Sequence, residues 1–139
     1  MSVAAEDPNQ AVIREFRANQ GRVGGGFEGA PLLLLHTRGA KSGAERVHPV
    51  MYLAHEGRTF VFASKAGADS HPGWYHNLLA HPEVEVEMGG TTRSARAVPV
   101  AGAERDRIYA KQVNRFPGFG EYQSKTARVI PVVELALGD

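Results

Sequence analysis

The stretch of residues 32–52, LLLLHTRGAKSGAERVHPVMY, carries the strongest fold signal in the chain. Four leucines are followed by a short segment of small and cationic residues and then by a second strand-like run. Both apolar halves must be buried, and glycines in the intervening residues 39–43 allow the backbone to approach a ligand closely. We therefore predict a hairpin that presents backbone N–H groups and the charges of Arg38, Lys41 and Arg46 to an anion such as a phosphate.

Length and composition are those of an ordinary globular domain. The chain has 139 residues, of which 42% are hydrophobic and 22% charged, so residues 1–139 are predicted to form a single domain with its own core. A net charge of +1 gives no reason to expect a nucleic-acid partner. Cysteine is absent, which excludes disulfides and thiolate metal sites. No apolar run could span a bilayer and no signal peptide is recognisable, so we expect a cytoplasmic location.

An amphipathic helix is predicted over about residues 8–19. Asp7 and Pro8 are typical of a capped helix start, and Val12, Ile13 and Phe16 fall on one face. We interpret this helix as a lid on the core. Weak association with a membrane surface is the alternative, which the short length and weakly basic polar face disfavour.

A glycine-rich entry loop is predicted next, over about residues 21–30. Its GGGFEG run, residues 24–29, matches the dinucleotide-binding pattern G-x-G-x-x-G letter for letter. That pattern must follow a strand and open a helix, whereas here a helix precedes it and a strand follows. The run is therefore interpreted as a loop.

Further elements follow the hairpin. Residues 58–64 predict a strand, reached through a turn at residues 55–57, and residues 64–67 form a second small-and-cationic loop. Residues 69–72, DSHP, indicate a capped helix start, and His81-Pro82 ends that helix.

Two strands with a tight turn come next. Residues 83–88 alternate strictly between glutamate and an apolar residue, Gly89-Gly90 makes a two-residue turn, and residues 91–100 return. The glutamates facing Arg93 and Arg96 predict a solvated cross-strand charge ladder with no functional role.

The C-terminal part is predicted to contain a helix over residues 103–115, an aromatic loop over residues 116–122 and a final strand over residues 129–137. Many short strands with hairpin turns and few helices favour a small barrel, mostly β with flanking helices, over a doubly wound sheet.

No metal site is predicted. His71, His76 and His81 are spaced five residues apart, which rotates them around a helix instead of aligning them on one face.

Several separate motifs of this chain resemble those of one known family. The first is Gly39-x-Lys41-Ser42-Gly43-x-x-Arg46-Val47-x-Pro49; the others are Ala63-Ser64-Lys65-x-Gly67-Ala68, Pro72-x-Trp74-Tyr75-x-Asn77-Leu78 and Tyr122-Gln123-Ser124. In register from about residue 24 to residue 133, the chain resembles the deazaflavin-dependent nitroreductase family of actinobacteria.

The resemblance implies a split β-barrel (α+β) related to flavin-binding split barrels. It also implies use of reduced coenzyme F420, an 8-hydroxy-5-deazaflavin with an acidic oligoglutamate tail, to transfer a hydride to quinones, nitroaromatics or similar small acceptors. A homodimer is compatible with it. No metal is implied.

Site residues follow from the matching positions. The resemblance implies that one group cradles the phosphate and continues along the coenzyme: Lys41, Ser42, Gly43, Arg46, Val47, His48 and Pro49. It implies that a second group borders the ring system: Phe62, Ala63, Ser64 and Lys65. It implies that a third group closes the site: Gly73, Trp74, Tyr75, His76 and Asn77. Taken singly, Lys41 is more typical of a solvated loop and Trp74 of a core.

The acceptor would lie beside the coenzyme, because hydride passes directly between them. The implied acceptor pocket contains Met51, Phe116, Phe119 and Tyr122, and Ser64 and Tyr122 are the candidate catalytic residues that hydrogen-bond or protonate the acceptor oxygen. The best-known nitroimidazole-activating member has tyrosines at the positions of Met51, Phe116 and Phe119 and an arginine at that of Ala40. The missing tyrosines predict poor nitroimidazole activation. The missing arginine predicts weaker coenzyme binding, although Arg38 lies close by in the sequence.

Two other functions stay open at this level. The chain could use FMN in place of the deazaflavin, or it could be a non-catalytic carrier of a coenzyme or small molecule, since hydride transfer demands no particular side chain.

Overall fold

The computed structural model describes residues 8–24 and 31–138, so the proposed cap Asp7 and most of the glycine-rich loop lie outside the described residues. Within them, six antiparallel strands form a closed barrel in the order β1-β2-β3-β6-β5-β4. The strands are β1 Leu32–Arg38, β2 Glu45–His55, β3 Arg58–Phe62, β4 Glu83–Met88, β5 Thr91–Val100 and β6 Val132–Leu137. The helices are α1 Pro8–Ala18, α2 Gly73–Ala80, α3 Gly102–Arg115 and α4 Gly118–Ser124, and Lys65–Gly67 forms one 3-10 turn.

The predicted hairpin is present. β1 and β2 pair in a register that places Leu33 opposite Val50 and Thr37 opposite Arg46. The loop is closed by hydrogen bonds of 2.8 Å from the Gly39 N–H to the Ala44 carbonyl and from the Gly43 N–H to the Gly39 carbonyl. The most strongly patterned stretch of the sequence thus supplies two neighbouring strands of the barrel.

Two seams in the barrel are short. β1 and β4 pair at three positions, as do β3 and β6, whereas β1 and β2 pair at seven. The ring therefore consists of two halves, β1-β2-β3 and β6-β5-β4.

Alternation along the strands sends side chains either into the barrel or to its outer surface, and the buried apolar residues form three clusters. The barrel interior holds one apolar cluster, closed by side chains of α2: Leu33, Leu35, Val61, Ala63, Trp74, Leu78, Val84, Val86, Ala95, Ala97, Val133 and Leu135. The alternate residues of each strand point outward, and where they are apolar, helices cover them.

α1 covers one outer face of the barrel. Ile13 and Phe16 are buried against Leu32 and Leu34 of β1, as the lid interpretation predicts. The apolar face of α1 is thus occupied by the barrel. None of the described helices has the length and apolar character needed to cross a membrane.

α3 and α4 cover another part of the outer surface of the barrel. The predicted aromatic loop over residues 116–122 is wrong, because most of it forms α4. Glycines at 118 and 120 suggested a loop, but Phe119 and Tyr122 pack one turn apart on the barrel. Gly120 lets α4 approach α3 closely, since a Cβ at that position would lie 3.3 Å from a methyl group of Val113.

Other boundaries also differ from the prediction. β3 ends at Phe62 and β6 begins at Val132, because both strands pair only over these short segments. The predicted cap of α2 is wrong: the helix begins at Gly73 with Pro72 as its N-cap, and no side chain caps it.

The predicted charge ladder is only partly correct. Glu83 and Arg96 form an ion pair, but Arg93 donates to the Gly138 carbonyl at 2.8 Å. Glu87 instead joins a network on the outer face. Its carboxylate accepts two hydrogen bonds from Arg17 of α1, at 2.8 and 3.1 Å, and one from His36 of β1 at 2.6 Å.

His36 is held between two carboxylates. Its Nδ1 lies 2.8 Å from a Glu45 oxygen and its Nε2 lies 2.6 Å from a Glu87 oxygen. Both ring nitrogens can donate only when the imidazole is protonated. Burial by itself would lower the pKa of His36, but the hydrogen bonds to Glu45 and Glu87 outweigh burial and raise it. Hydrogen bonds from Arg17, ahead of those from His36, lower the pKa of Glu87.

We expect this network to make stability depend on pH. A raised folded-state pKa means that the contribution of His36 is complete below its ordinary value of 6.5 and is lost as pH rises through the folded pKa. The lowered pKa of Glu87 means that its contribution is present above 4.5 and is lost as pH falls. Urea unfolding at increasing pH should therefore show wild type losing stability relative to His36→Gln above pH 6.5. A difference between the two proteins that is independent of pH would contradict this role.

Candidate functional site

The tip of the hairpin between β1 and β2 presents the predicted phosphate cradle. Lys41, Ser42, Gly43 and Arg46 are all exposed. Among the described residues, neither Lys41 nor Arg46 has a carboxylate partner. The Ser42 hydroxyl accepts a hydrogen bond of 3.1 Å from the Ala44 N–H and so shapes the loop. Lys41 in the turn and Arg46 at the start of β2 therefore present two cations without a carboxylate partner among the described residues.

A groove runs beside this hairpin between α1 and β2. Its volume is about 370 Å³, and its lining residues are Gln10, Ile13, Arg17, Glu45, Arg46, Val47 and His48. Three residues of the predicted coenzyme set, Arg46, Val47 and His48, thus line one cavity. Pro49 continues the strand opposite Leu34.

His48 contributes no charge to this groove near neutral pH. Burial, followed by the nearby charge of Arg46, lowers the pKa of His48 below its ordinary value of 6.5. Its Nε2 lies 3.2 Å from the Thr37 hydroxyl oxygen, which can donate to the neutral ring. His48 thus adds little to the positive charge that Arg38, Lys41 and Arg46 give the hairpin.

Asn77 ties α2 to the base of the hairpin. Its side-chain oxygen accepts a hydrogen bond of 3.0 Å from the Ala40 N–H, and its amide nitrogen donates to the Thr37 hydroxyl at 3.0 Å. Thr37 in turn contacts His48. The oxygen and the nitrogen of the Asn77 amide are therefore both hydrogen-bonded within the protein. These two bonds hold the loop that carries Lys41 against α2.

The remaining residues of the α2 set lie in different environments. Trp74 is 9% exposed and belongs to the cluster inside the barrel, so most of its surface packs against the core. Gly73 and His76 are exposed, and Tyr75 is half-buried. Tyr75 also lines a second groove, of about 490 Å³, between α2 and the start of α3.

The predicted ring-bordering group follows β3. Phe62 and Ala63 are buried, Ser64 is half-buried, and Lys65 is exposed with its ammonium group donating to the Ser70 hydroxyl at 3.1 Å. Only Ser64, Lys65 and the backbone of this segment can therefore meet a ligand without rearrangement.

The predicted acceptor residues gather in the cluster under α3 and α4. Phe119 is 7% exposed, and its ring centroid lies 5.7 Å from that of Phe62 and 5.3 Å from that of Tyr122. Met51, Phe116 and Tyr122 are half-buried at the edge of the same cluster. Phe119 thus forms part of the wall, and the half-buried side chains are the ones available to a ligand.

Sequence reasoning missed the polar residues that hold these segments in place. The Arg105 guanidinium donates to the Ile130 carbonyl at 2.8 Å and to the Gln123 side chain at 2.7 Å. Arg128 donates to three backbone carbonyls of residues 63–68. Gln112 is fully buried, and its side-chain amide has no hydrogen-bond partner among the described residues. Nothing local in the sequence distinguishes these side chains from solvated ones.

The described residues contain no group of three or more histidine, cysteine, aspartate or glutamate side chains arranged to hold a metal ion.

Comparisons with known proteins agree with one another. The family model described as F420H(2)-dependent quinone reductase matches residues 9–136. An F420H(2)-dependent quinone reductase of Mycobacterium tuberculosis is 40% identical over 124 residues, which cover 86% of this chain and 83% of that protein. Among solved structures, an F420-H2 dependent reductase, FDR-A, is 39% identical with a TM-score of 0.69, covering 76% of this chain and 93% of that chain.

A further structure, described as a domain-swapped dimer, is 33% identical with a TM-score of 0.71, covering 91% of this chain and 94% of that chain. The barrel topology and these matches confirm the split β-barrel fold and the family resemblance seen in the motifs. The chain belongs to the F420H(2)-dependent quinone reductase family.

Proposed function

We propose that this protein transfers a hydride from reduced coenzyme F420 to a quinone or a similar small acceptor. Family membership supports both the donor and the class of acceptor. The observation in the structure that carries the proposal is the exposed pair Lys41 and Arg46, which have no carboxylate partner among the described residues. Arg46 also lines the groove along β2.

The residues present fit an anionic coenzyme. Coenzyme F420 combines a planar ring system with a phosphate and an acidic tail, and such a ligand needs fixed cations beside a cavity. Arg46 offers a planar fork that matches a phosphate, and Lys41 offers a compact charge. We assign the phosphate to these two residues and the oligoglutamate tail to the same positive region.

The protein needs to supply orientation and proton delivery. When bound, the reduced coenzyme supplies the hydride. The half-buried Ser64 and Tyr122 carry the hydroxyl groups that we assign to the acceptor oxygen, where a donated hydrogen bond stabilises the charge that develops during reduction. Met51 and Phe116 offer apolar surface at the edge of the same cluster, against which a flat quinone can pack while water is excluded.

The direct test is turnover of reduced coenzyme F420 with menadione, followed by absorbance. The expected result is turnover by wild type with reduced coenzyme F420. With reduced FMN in its place, the protein should add nothing to the rate measured without protein. Binding of coenzyme F420 without turnover of menadione or any nitroaromatic would favour the non-catalytic carrier. Tight binding of FMN, with its characteristic spectrum, would favour the flavin alternative.

Acceptor preference should depend on Phe116. Phenylalanine offers packing area but no donor, so a polar nitro group is poorly oriented. Phe116→Tyr is expected to raise the rate with a bicyclic nitroimidazole by about 2- to 10-fold, the value of one hydrogen bond of about 0.5 to 1.5 kcal/mol. The rate with menadione should change little. Steady-state kinetics with both acceptors measures the ratio, and an equal effect on both would contradict the prediction.

Phe119 is the matched control on the same helix. The sequence gives it the same role as Phe116, but its ring packs edge-on against Phe62, Tyr109 and Tyr122. Phe119→Tyr would place a hydroxyl in this apolar contact, and we expect it to lower thermal stability without a selective gain with nitroimidazoles.

We also propose a homodimer. The support is a relative at 33% identity that is described as a domain-swapped dimer. Sedimentation equilibrium of the purified protein tests it, and a monomer at all concentrations would refute it.

A further inference from the structure

Arg128 holds one loop through several hydrogen bonds. Its Nε donates to the Ala68 carbonyl at 2.7 Å, its Nη1 to the Ala63 carbonyl at 3.1 Å, and its Nη2 to the Ser64 carbonyl at 2.8 Å. Its Nη1 also lies 3.0 Å from Nδ1 of His71. A planar guanidinium presents its donors in a fixed fork, so three carbonyls on one fork fix the path of the chain between them.

The loop that Arg128 holds has an unusual backbone. Lys65 and Ala66 have φ values of 46° and 54°, in the left-handed region that residues with a Cβ rarely adopt. Such conformations persist only where the surroundings impose them. Arg128 donates to carbonyls on either side of this turn and so is one of the groups that hold it.

The same loop is seated on α4. Gly67 has a φ of 83°, and a Cβ at that position would lie 2.7 Å from the Tyr122 carbonyl oxygen. Only glycine allows this approach. The turn after Ser64 and the helix that carries Tyr122 are therefore in direct backbone contact, and Arg128 closes the turn from the other side.

We propose that Arg128 is a positioning residue for the reaction. It holds the Ser64 turn in the conformation that accepts the coenzyme ring and fixes Ser64 relative to Tyr122, without itself touching the coenzyme or the acceptor. This inference rests on the proposed function for its kinetic consequences, but its effect on coenzyme binding can be measured separately.

The experiment compares three variants. Arg128→Ala removes the fork, and Arg128→Lys keeps the charge but replaces three separate donor nitrogens in one plane with a single ammonium nitrogen. Arg105→Ala is the matched control, because Arg105 is also largely buried and donates to a backbone carbonyl, but none of its hydrogen bonds in the described structure goes to residues 63–71. For each protein we would measure the melting temperature, the Kd and visible absorption band of bound oxidised coenzyme F420, and kcat with menadione at saturating coenzyme.

Both Arg128 variants are expected to bind coenzyme F420 about tenfold more weakly, with a shifted absorption band. Their kcat should fall about 10- to 100-fold, as for a small misplacement of reacting groups. Guanidinium ion added to the Arg128→Ala protein should restore part of the coenzyme affinity and part of kcat. Arg105→Ala should lose melting temperature while keeping the wild-type absorption band.

Two results would overturn the inference. One is an Arg128→Lys protein with wild-type Kd, band and kcat, which would show that charge alone suffices. The other is an Arg128→Ala protein that is only less stable, with unchanged Kd and band. If the Arg128→Ala protein does not fold, the Kd, absorption band and kcat of the Arg128→Lys protein decide whether the inference holds. A wild-type protein that binds the coenzyme but reduces no quinone would refute the proposed function. In that case the Kd and absorption band of the variants would still test whether Arg128 positions the Ser64 turn for coenzyme binding.

Discussion

Removing both hairpin cations, Lys41→Ala with Arg46→Ala, is expected to abolish most of the affinity for coenzyme F420. Each charge-assisted hydrogen bond to a phosphate is worth about 1.5 to 3 kcal/mol, or a factor of about 10 to 150 in Kd. Both side chains are exposed in the described structure, so their removal should leave the fold intact. Fluorescence titration of the oxidised coenzyme measures the change.

The matched control removes the same charge elsewhere. Arg107→Ala with Lys111→Ala takes two cations from α3, and we expect the Kd to stay near that of wild type. Rising salt should weaken binding by the wild-type protein more than binding by the hairpin variant, because salt screens exposed charges. Equal affinity of the hairpin variant and the wild type would refute the assignment of this loop.

Trp74→Ala is expected to cost stability more than coenzyme affinity. The indole is largely buried with Leu78 in the cluster inside the barrel, and truncating a buried tryptophan costs about 3 to 5 kcal/mol. Urea unfolding measures the loss, and His76→Ala, at an exposed position on the same helix, should change stability by less than about 0.5 kcal/mol.

The sequence also implies a place for Trp74 at the coenzyme, and the same variant tests that reading. If the tryptophan is mainly a ligand contact, the Kd for coenzyme F420 should rise while the urea midpoint stays near that of wild type. A large fall in the midpoint at unchanged Kd would instead assign Trp74 to the core.

The sequence pattern alone predicted the secondary structure correctly where one periodicity dominates. The strict alternation in β4 and the Gly89-Gly90 turn gave the bounds of β4 and β5 correctly, because a half-buried strand must alternate. The hairpin followed from two apolar runs around a glycine-rich turn. α4 was missed because its glycines are unfavourable for a helix in isolation, and only packing against α3 and the barrel stabilises it.

The candidate site likewise has a part that the sequence predicts and a part that it does not. The exposure of Lys41 and Arg46 could be anticipated, since both flank a polar turn. The link from Asn77 to Ala40 joins residues 37 positions apart, and Arg128 lies 64 positions from Ser64. No spacing rule connects such residues. Their partners are backbone atoms whose positions exist only once the barrel has closed.

Closure of the barrel also determines how copies of this chain can associate. Each described strand is paired on both sides, so a second copy cannot simply add a strand to a free edge. Exchange of strands between copies must first break backbone pairing. The two three-residue seams, β1 with β4 and β3 with β6, are the shortest lines along which this can happen. Strand exchange along these lines would trade whole three-stranded halves, and it would be slow because the barrel must open first.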